Sequence, residues 1–258
     1  MARHRGTFDP GNPSPYELSR SRIENFVRCK ACFYLRQVKG IKFPSIPGFN
    51  LNEATDVLLK RYFDVYREKQ TTPAILKIVG LGGFVPYQHP DFEKWTQSLH
   101  FGAEGRFHHV DSHTNILVGG GIDDIWVDSD SGELHVVDYK STSRKTSKKE
   151  ISLDDKWKAA YKRQMDLYVW IMMSRGMPVS KRGYFLYVDG DRFSEYDFIV
   201  EDTAWMRMNL TLHNYDVDFS WIRGALSSIK DTLSLDRCPP HSEECEYGRF
   251  IDDLSGIT

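Results

Sequence analysis

The sequence lacks the long apolar runs, the low-complexity tracts and the excess of one charge that mark several classes of protein. It contains no stretch of about 18 apolar residues, so no membrane-spanning helix and no membrane partner are expected. Its first residues lack the apolar segment of a secretory signal, which predicts a cytoplasmic protein. With 34 basic and 36 acidic side chains, the net charge of −2 indicates no particular partner.

Cysteine is also scarce, but its four residues are not scattered. Cys29 and Cys32 form one pair near the start of the sequence, and Cys238 and Cys245 form another near its end. In a cytoplasmic protein such pairs bind metal more often than they form disulfides. We therefore expect the cysteines to be metal ligands.

The order of the predicted elements is typical of one α/β or α+β domain around a mixed sheet. Apolar periodicity predicts helices over 20–37, 52–69, 153–175 and 202–235. It also predicts a hairpin that ends at Lys140, and a strand pair formed by 182–189 and 191–200. The expected layout is a flexible arm at 1–17 and a single domain at 18–258, with a helical insert at about 52–100, a core at about 103–200, and a C-terminal helix and cysteine tail at 201–250.

Two acids and a lysine indicate chemistry on a phosphate. Asp138 and Lys140 are two residues apart on a predicted strand, so their side chains share a face. Asp123, on the preceding strand, can join Asp138 in holding a hard divalent cation through oxygen ligands. A lysine beside that cation can stabilise the charge that develops on a phosphate. Taken alone, however, the Asp-x-Lys motif is more typical of an ion pair at a sheet edge.

Two neighbouring features favour the catalytic interpretation. The glycines at 119–121 either let the backbone approach a ligand closely or mark a β-bulge. Gln164 and Tyr168 share one face of the long predicted helix, from which they can contact a nucleotide or a catalytic water. Alone, this pair is a weak signal, because amphipathic helices often carry polar pairs by chance.

Taken in order, the segments 120–123 (GGID), 136–141 (VVDYKS) and 164–168 (QMDLY) resemble the core motifs of the RecB-like branch of the PD-(D/E)XK nuclease superfamily. That branch includes the exonucleases of CRISPR adaptation and the nuclease parts of recombination helicases such as AddB. The string LSRSRIENFVRCKACFYL also resembles the branch's N-terminal motif. The resemblance runs from about 18 to 250, is vague between 70 and 102, and implies a restriction-endonuclease-like core in which helices flank a mixed sheet.

The resemblance implies a role for each matched residue. Asp123 and Asp138 would be metal ligands, together with the backbone carbonyl of Tyr139. Lys140 would be the catalytic lysine. The residues that would serve the site from the long helix are Gln164 and Tyr168. Asp124, on the opposite face of its strand, is not expected to take part.

Many relatives add a metal ligand from a histidine on the second helix, which this sequence lacks. Asp56 is the expected substitute, and Glu53, one turn earlier, is the alternative. Either residue is otherwise an acid at a helix start, where the helix dipole favours negative charge.

The resemblance also assigns the cysteines. In iron–sulfur members of the branch, one N-terminal and three C-terminal cysteines hold a [4Fe–4S] cluster that ties the two ends of the chain together. Cys29 matches the N-terminal ligand, and Cys238 and Cys245 match two ligands of the tail. The resemblance therefore favours a [4Fe–4S] cluster at these positions.

The tail departs from the pattern at one position. Gly248 stands where a third tail cysteine is expected, and Cys32 is the expected source of the missing thiolate. His241, between the tail cysteines, is interpreted as an ordinary core or surface residue. Four thiolates suit either a [4Fe–4S] cluster or tetrahedral zinc, and cysteines without metal are the third alternative.

These features together predict a Mg²⁺- or Mn²⁺-dependent deoxyribonuclease. The resemblance implies that it acts on single-stranded DNA or DNA ends, as an exonuclease rather than an endonuclease. DNA processing, repair and CRISPR adaptation are the expected settings. The segment 140–163 has nine basic and three acidic residues, and is either the phosphate-facing rim of the site or a solvated loop. The alternative function is a catalytically weak DNA-binding or assembly subunit of a helicase or CRISPR integrase complex, with a structural metal cluster.

Overall fold

A computed structural model describes residues 3–44, 48–146 and 150–255 of the protein. Its strands are β1 (Tyr16–Ser19), β2 (Phe84–Pro86), β3 (His108–Asp111), β4 (Ile116–Gly119), β5 (Asp124–Asp128), β6 (Leu134–Thr142), β7 (Arg182–Gly190), β8 (Ile199–Val200), β9 (Thr203–Ala204) and β10 (Met208–Asp216). Its α-helices are α1 (Arg20–Arg28), α2 (Lys30–Gln37), α3 (Asn50–Lys69), α4 (Ala74–Ile78), α5 (Phe92–Trp95), α6 (Ala159–Ser174), α7 (Ser220–Leu233) and α8 (Glu246–Ser255). No α-helix in these ranges is long and apolar enough to cross a membrane.

The main sheet has five strands in the order β10-β7-β6-β5-β2. Strands β6 and β7 are parallel and are connected through α6, whereas the other neighbours are antiparallel. A second sheet has the order β1-β4-β3, and β8 pairs with β9. This mixed α/β architecture confirms the expected fold class.

The two faces of the main sheet bury different side chains. Val136 and Phe185 belong to the larger core, which contains apolar residues of α6 and α7. Val137 and Leu186 belong to a smaller core that includes Phe63 of α3. Because alternate residues of a strand point to opposite faces, β6 presents its functional side chains either towards α6 or towards α3.

The predicted helix over 20–37 is interrupted at Cys29. The backbone there is extended, with φ −160° and ψ 113°, so that α1 ends and α2 begins on either side of this residue. The predicted helices over 52–69 and 153–175 correspond to α3 and α6, and α6 begins later, after a 3-10 turn at Lys156–Lys158.

The expected strand pair of 182–189 with 191–200 is wrong. Strand β7 pairs instead with β10, where Gly190 is opposite Met208. Residues 191–207 form an insertion that contains β8 and β9, and the helix expected from 202 begins only at Ser220. The apolar residues of the insertion resemble those of a buried strand, but Tyr196 is 74% and Phe198 57% exposed.

Residues 3–15, expected to belong to a flexible arm, lie against the rest of the chain. His4 and Tyr16 are buried, and Phe8 stacks on the His4 ring and packs edge-to-face against the Tyr16 ring. The guanidinium groups of Arg3 and Arg5 donate hydrogen bonds to the backbone carbonyls of residues 99 and 100. Residues 1–2 of the expected arm lie outside the described residues.

The region expected to be a helical insert, at about 52–100, contains α3, α4 and α5 but also β2. Strand β2 pairs with β5 and forms one edge of the main sheet, so this region contributes directly to the sheet.

Candidate functional site

The three residues expected at the centre of the site lie together at β5 and β6. Asp123 directly precedes β5, and Asp124 is opposite Val137 in the register of the two strands. The backbone N–H of Tyr139 donates a hydrogen bond to Asp123 Oδ2 at 2.9 Å. This contact holds the Asp123 carboxylate beside Asp138 and Lys140.

Asp138 is held by two neighbours. Its carboxylate is 1% exposed, and Oδ1 accepts a hydrogen bond of 2.7 Å from Gln164 Nε2. Oδ2 forms an ion pair with the Lys140 ammonium, but without the directional geometry of a hydrogen bond. Gln164 Oε1 is buried and accepts no hydrogen bond within the described part of the chain. Gln164 therefore positions Asp138 from α6.

Helix α3 adds an acid and a lysine to the site. Lys60 Nζ lies 2.8 Å from Asp56 Oδ2 and 3.9 Å from Asp123 Oδ1. Thr55 and Ser141 form a hydrogen bond between their hydroxyl groups, which ties α3 to β6 beside the site. The sequence interpretation missed Lys60, although its position four residues after Asp56 is typical of a helical ion pair.

The carboxylates of the site oppose each other's ionisation. Burial and the nearby charge of Asp138 raise the pKa of Asp123 to about 6, although Lys140 and Lys60 act in the opposite direction. Burial and the charge of Asp123 likewise raise the pKa of Asp56. A bound cation would relieve this repulsion and favour the ionised acids.

The type of donor atom at the site suits a hard divalent cation. Asp56, Asp123 and Asp138 offer carboxylate oxygens. The backbone carbonyl oxygen of Tyr139 lies beside them, 3.4 Å from Lys140 Nζ. Mg²⁺ and similar ions prefer oxygen ligands of this kind. Glu53, the alternative to Asp56, also lines the cleft, but its side chain is exposed.

Tyr168 supports the glycine segment that leads to Asp123. Its hydroxyl donates a hydrogen bond of 2.8 Å to the carbonyl of Gly121. A Cβ atom at Gly120 would lie 2.7 Å from that hydroxyl, and one at Gly121 would lie 2.6 Å from the carbonyl oxygen of Thr96. The space beside both glycines is therefore occupied by neighbouring protein groups, and both glycines also line the cleft. Tyr168 is 3% exposed and acts through this segment.

Asp124 lies on the opposite face of the sheet, as expected. It is fully buried and accepts hydrogen bonds from Arg67 Nη2, Trp126 Nε1 and the Tyr139 hydroxyl. Burial raises the pKa of Asp124, even though Arg67 and Tyr139 favour the ionised form. These contacts give Asp124 a structural role in joining α3 to the sheet.

The site opens into a cleft of about 880 Å³. Asp56, Asp123 and Lys140 line it, together with an arginine set that we call the cleft arginines. This set consists of Arg5, Arg20, Arg22 and Arg36, from the N-terminal segment, α1 and α2. None of these four forms an ion pair with a carboxylate in the described ranges. Sequence reasoning missed them because their convergence depends on the tertiary fold.

The described part of the basic segment, residues 140–146 and 150–163, does not form the rim that was one expectation for the segment. Among its described basic residues, Lys140 alone lines the cleft. Arg144 pairs with Asp189, and Arg163 pairs with Glu24. Other pairs in the segment are Lys156 with Glu244, Lys158 with Asp155, and Lys162 with Asp154. Lys148 and Lys149 lie outside the described residues.

Cysteines from the two ends of the chain meet, but the fourth group is a histidine. The donor atoms of Cys29, Cys32, His241 and Cys245 all lie within 4.8 Å of one another, an arrangement that could bind a metal. Cys238 is not in this group, because its exposed thiol lies beside the backbone of Ala31, 3.9 Å from the carbonyl oxygen. The expected set of four cysteines therefore differs from the arrangement observed, and His241 is a candidate ligand that the sequence interpretation missed.

The environment of Cys29 favours its thiolate form, whereas that of Cys32 opposes it. Burial opposes the ionisation of Cys29, but hydrogen bonds from the backbone amides of Cys32 and Ser242, together with those of the His241 and Cys245 side chains, outweigh it and lower the pKa of the thiol to about 6. The backbone N–H of Gly248 donates to Cys245 Sγ at 3.3 Å. Burial and the neighbouring thiols raise the pKa of Cys32, and a bound cation would reverse that effect.

Comparison with known proteins identifies the family. A search of curated proteins finds no match to the chain. The sequence model of the PD-(D/E)XK nuclease superfamily matches residues 50–249, which is more than half of the chain. The matched region contains Asp56, Asp123, Asp138 and Lys140. The chain therefore belongs to the PD-(D/E)XK nuclease superfamily, whose members are metal-dependent nucleases.

Proposed function

We propose that the protein is a divalent-metal-dependent deoxyribonuclease that hydrolyses phosphodiester bonds in single-stranded DNA or at DNA ends. The observation that carries this proposal is the convergence of Asp123, Asp138 and Lys140 at a cleft lined by the cleft arginines. A metal site next to uncompensated guanidinium groups suits a polyanion, because each phosphate can neutralise a positive charge.

The contacts of these residues indicate the role that each would have in hydrolysis. Asp123, Asp138 and Asp56 would hold Mg²⁺ or Mn²⁺ with the carbonyl of Tyr139. The bound ion would polarise the scissile phosphate and lower the pKa of an attacking water. The Lys140 ammonium, 4.7 Å from the ring centre of Tyr161, would neutralise charge that develops on the phosphate oxygens.

Two residues of α6 would position the others without touching the substrate. Gln164 orients the Asp138 carboxylate through its hydrogen bond. Tyr168 fixes the backbone of Gly121, two residues before Asp123. Their effect on the reaction would therefore pass through the two acids.

The preference for single strands and the exonuclease mode are supported by the resemblance to the RecB-like branch. The cleft volume of about 880 Å³ lies in the range of sites that enclose a small ligand, which suits a few nucleotides of one strand. A cytoplasmic location, a role in DNA repair or CRISPR adaptation, and a helicase or integrase partner rest on the same resemblance.

The proposal is tested with end-labelled single-stranded DNA and Mn²⁺. We expect Asp138→Ala and Lys140→Ala each to lower the rate by about 100-fold or more, because each removes a charge that contacts the reacting phosphate or its metal. Lys156→Ala is the matched control, because Lys156 is exposed and pairs with Glu244 away from the cleft. Equal rates in all four proteins would refute the enzyme assignment. A circular single strand that resists the parent protein would support the exonuclease mode.

The second candidate is a DNA-binding or assembly subunit with little catalytic activity. The observation that favours it is the insertion at 191–207, where Tyr196, Phe198 and Trp205 are 74%, 57% and 68% exposed. Exposed aromatic residues in one segment are typical of a contact surface for another protein. DNA binding without hydrolysis in the assay above would favour this candidate.

A further inference from the structure

We call the group of residues Cys29, Cys32, His241 and Cys245 the end site. The distances between its donor atoms indicate which kind of metal it can bind. His241 Nδ1 lies 3.4 Å from Cys29 Sγ, 3.7 Å from Cys32 Sγ and 3.4 Å from Cys245 Sγ. The sulfur atoms of Cys32 and Cys245 are 3.4 Å apart. The four donors thus surround one point instead of forming separate pairs.

The three sulfur–nitrogen distances match the ligands of one tetrahedral ion, and the sulfur–sulfur distance of 3.4 Å is slightly shorter than such an ion requires. With zinc bonds of about 2.3 Å to sulfur and about 2.0 Å to nitrogen, a tetrahedron places sulfur and nitrogen about 3.5 Å apart and two sulfurs about 3.8 Å apart. Three thiolates and one imidazole are also among the usual ligand sets of structural zinc.

The same residues do not fit the [4Fe–4S] cluster implied by the resemblance. Such a cluster is held by four cysteine thiolates, each on a different iron, so its ligands are spread around the cluster. In the end site all donors lie within 4.8 Å of one another, and the fourth cysteine, Cys238, is outside the group.

Gly248 provides an independent reason for the histidine. A Cβ atom at Gly248 would lie 2.6 Å from Cβ and 2.7 Å from Cγ of His241. Any side chain at this position would therefore collide with the imidazole. The space that a third tail cysteine would need is filled by the His241 ring.

We infer that Cys29, Cys32, His241 and Cys245 bind a single zinc ion, and that Cys238 is not a ligand. The buried thiols and the amide hydrogen bonds to Cys29 and Cys245 provide the second layer of contacts that tetrahedral thiolate sites use. This inference goes beyond the proposed hydrolysis of DNA and does not depend on it, because the ion lies at the end site and is measured directly.

The test measures metal content in the full chain and in three variants, Cys238→Ser, His241→Ala and His241→Cys. We expect one equivalent of zinc, no acid-labile sulfide and no visible absorbance in the parent protein. Cys238→Ser should keep the zinc, whereas His241→Ala should weaken zinc binding by at least about tenfold, measured by competition with a chromogenic chelator. Substitution of zinc by Co²⁺ should give the visible spectrum of a tetrahedral site.

His241→Cys keeps the test decisive if the alanine variant fails to fold. It should retain one metal ion, with a Co²⁺ spectrum shifted by the change from nitrogen to sulfur. Iron with sulfide and a broad visible band, lost in Cys238→Ser, would overturn the inference in favour of a four-cysteine cluster. A parent protein that neither contains zinc nor binds it on titration would also overturn it. Each of these readings is independent of nuclease activity.

Discussion

Asp123 and Asp124 are neighbours in the sequence, yet their side chains leave the backbone towards opposite faces of the sheet. Asp123 faces the cleft and is crowded by Asp138, whereas Asp124 is enclosed and bound by Arg67. Two adjacent carboxylates thus have different environments. Mutation of each should therefore affect a different property of the protein.

We expect Asp123→Asn to abolish most nuclease activity with little change in the free energy of unfolding, because its ionised form is already disfavoured by burial and Asp138. Asp124→Ala should instead lower the free energy of unfolding by about 3 kcal/mol, because Arg67 would lose its buried charge partner and keep only the exposed Asp64. Urea denaturation and the rate of DNA hydrolysis measure the two effects. Equal destabilisation by both substitutions would contradict the separate roles.

The cleft arginines allow a second prediction at the residue scale. Replacement of both Arg22 and Arg36 by Gln should weaken binding of single-stranded DNA in Ca²⁺, because two unpaired cations that face the cleft are lost. The slope of log affinity against log salt should fall by about 1.4, since each phosphate contact on a single strand contributes about 0.7. Fluorescence anisotropy across a salt series measures both quantities.

The matched control replaces Arg182 and Arg223 by Gln, because both are exposed and neither lines the cleft. The two double variants have the same net charge. An equal change of slope in both would show that binding responds to net charge rather than to the cleft.

The sequence predicted those residues of the site that are close to one another along the chain, but not those that meet only in the folded protein. Asp138 and Lys140 share a face of one strand, and Asp123 comes from the adjacent strand, so their convergence followed from local periodicity. His241 and the cleft arginines could not be found in this way. They approach their partners only through contacts between segments far apart in the sequence.

The loop between β4 and β5 positions Asp123 through its contact with Tyr168 of α6. Gly120 has no room for a side chain, because Tyr168 occupies the adjacent space. We expect Gly120→Ala to lower the free energy of unfolding by about 1 to 3 kcal/mol and to reduce activity, because Tyr168 and the backbone before Asp123 must move. Urea denaturation and the DNA hydrolysis assay measure the two changes.

Gly224→Ala is the control for this substitution. Gly224 lies in α7 with no neighbouring atom within 4 Å of an added Cβ, so alanine should stabilise the helix by up to about 1 kcal/mol. Full activity of Gly120→Ala would show that the tight contact with Tyr168 does not position Asp123.

Strand order shows where sequence patterns fail at the scale of elements. The hairpin of β5 and β6 was predicted because its strands are close in sequence and joined by a turn. The pairing of β7 with β10 was not predicted, because residues 191–207 separate the two strands and contain apolar residues that resemble a strand. Apolar content alone does not distinguish a buried strand from an exposed insertion, since burial depends on the whole fold.

At the scale of the whole molecule, the end site joins two distant parts of the chain. Cys32 and Cys245 are 213 residues apart in the sequence. The same junction connects to the cleft, because Cys29 and Cys32 lie where α1 and α2 meet, and these helices carry Arg20, Arg22 and Arg36. A metal that closes so long a loop restricts the unfolded chain and so stabilises the folded one.

Removal of zinc should therefore lower both stability and DNA affinity. We expect a strong chelator to lower the midpoint of thermal unfolding by about 5 to 10 °C, which corresponds to a loss of a few kcal/mol in a chain of this size. Zn²⁺, added after the chelator is removed, should restore the midpoint, whereas Mg²⁺ should not, because thiolate and imidazole ligands do not suit Mg²⁺. Below the unfolding transition, the zinc-free protein should also bind single-stranded DNA more weakly, because α1 and α2 lose their tie to the tail. Unchanged melting and binding after complete removal of zinc would show that packing alone fixes these helices.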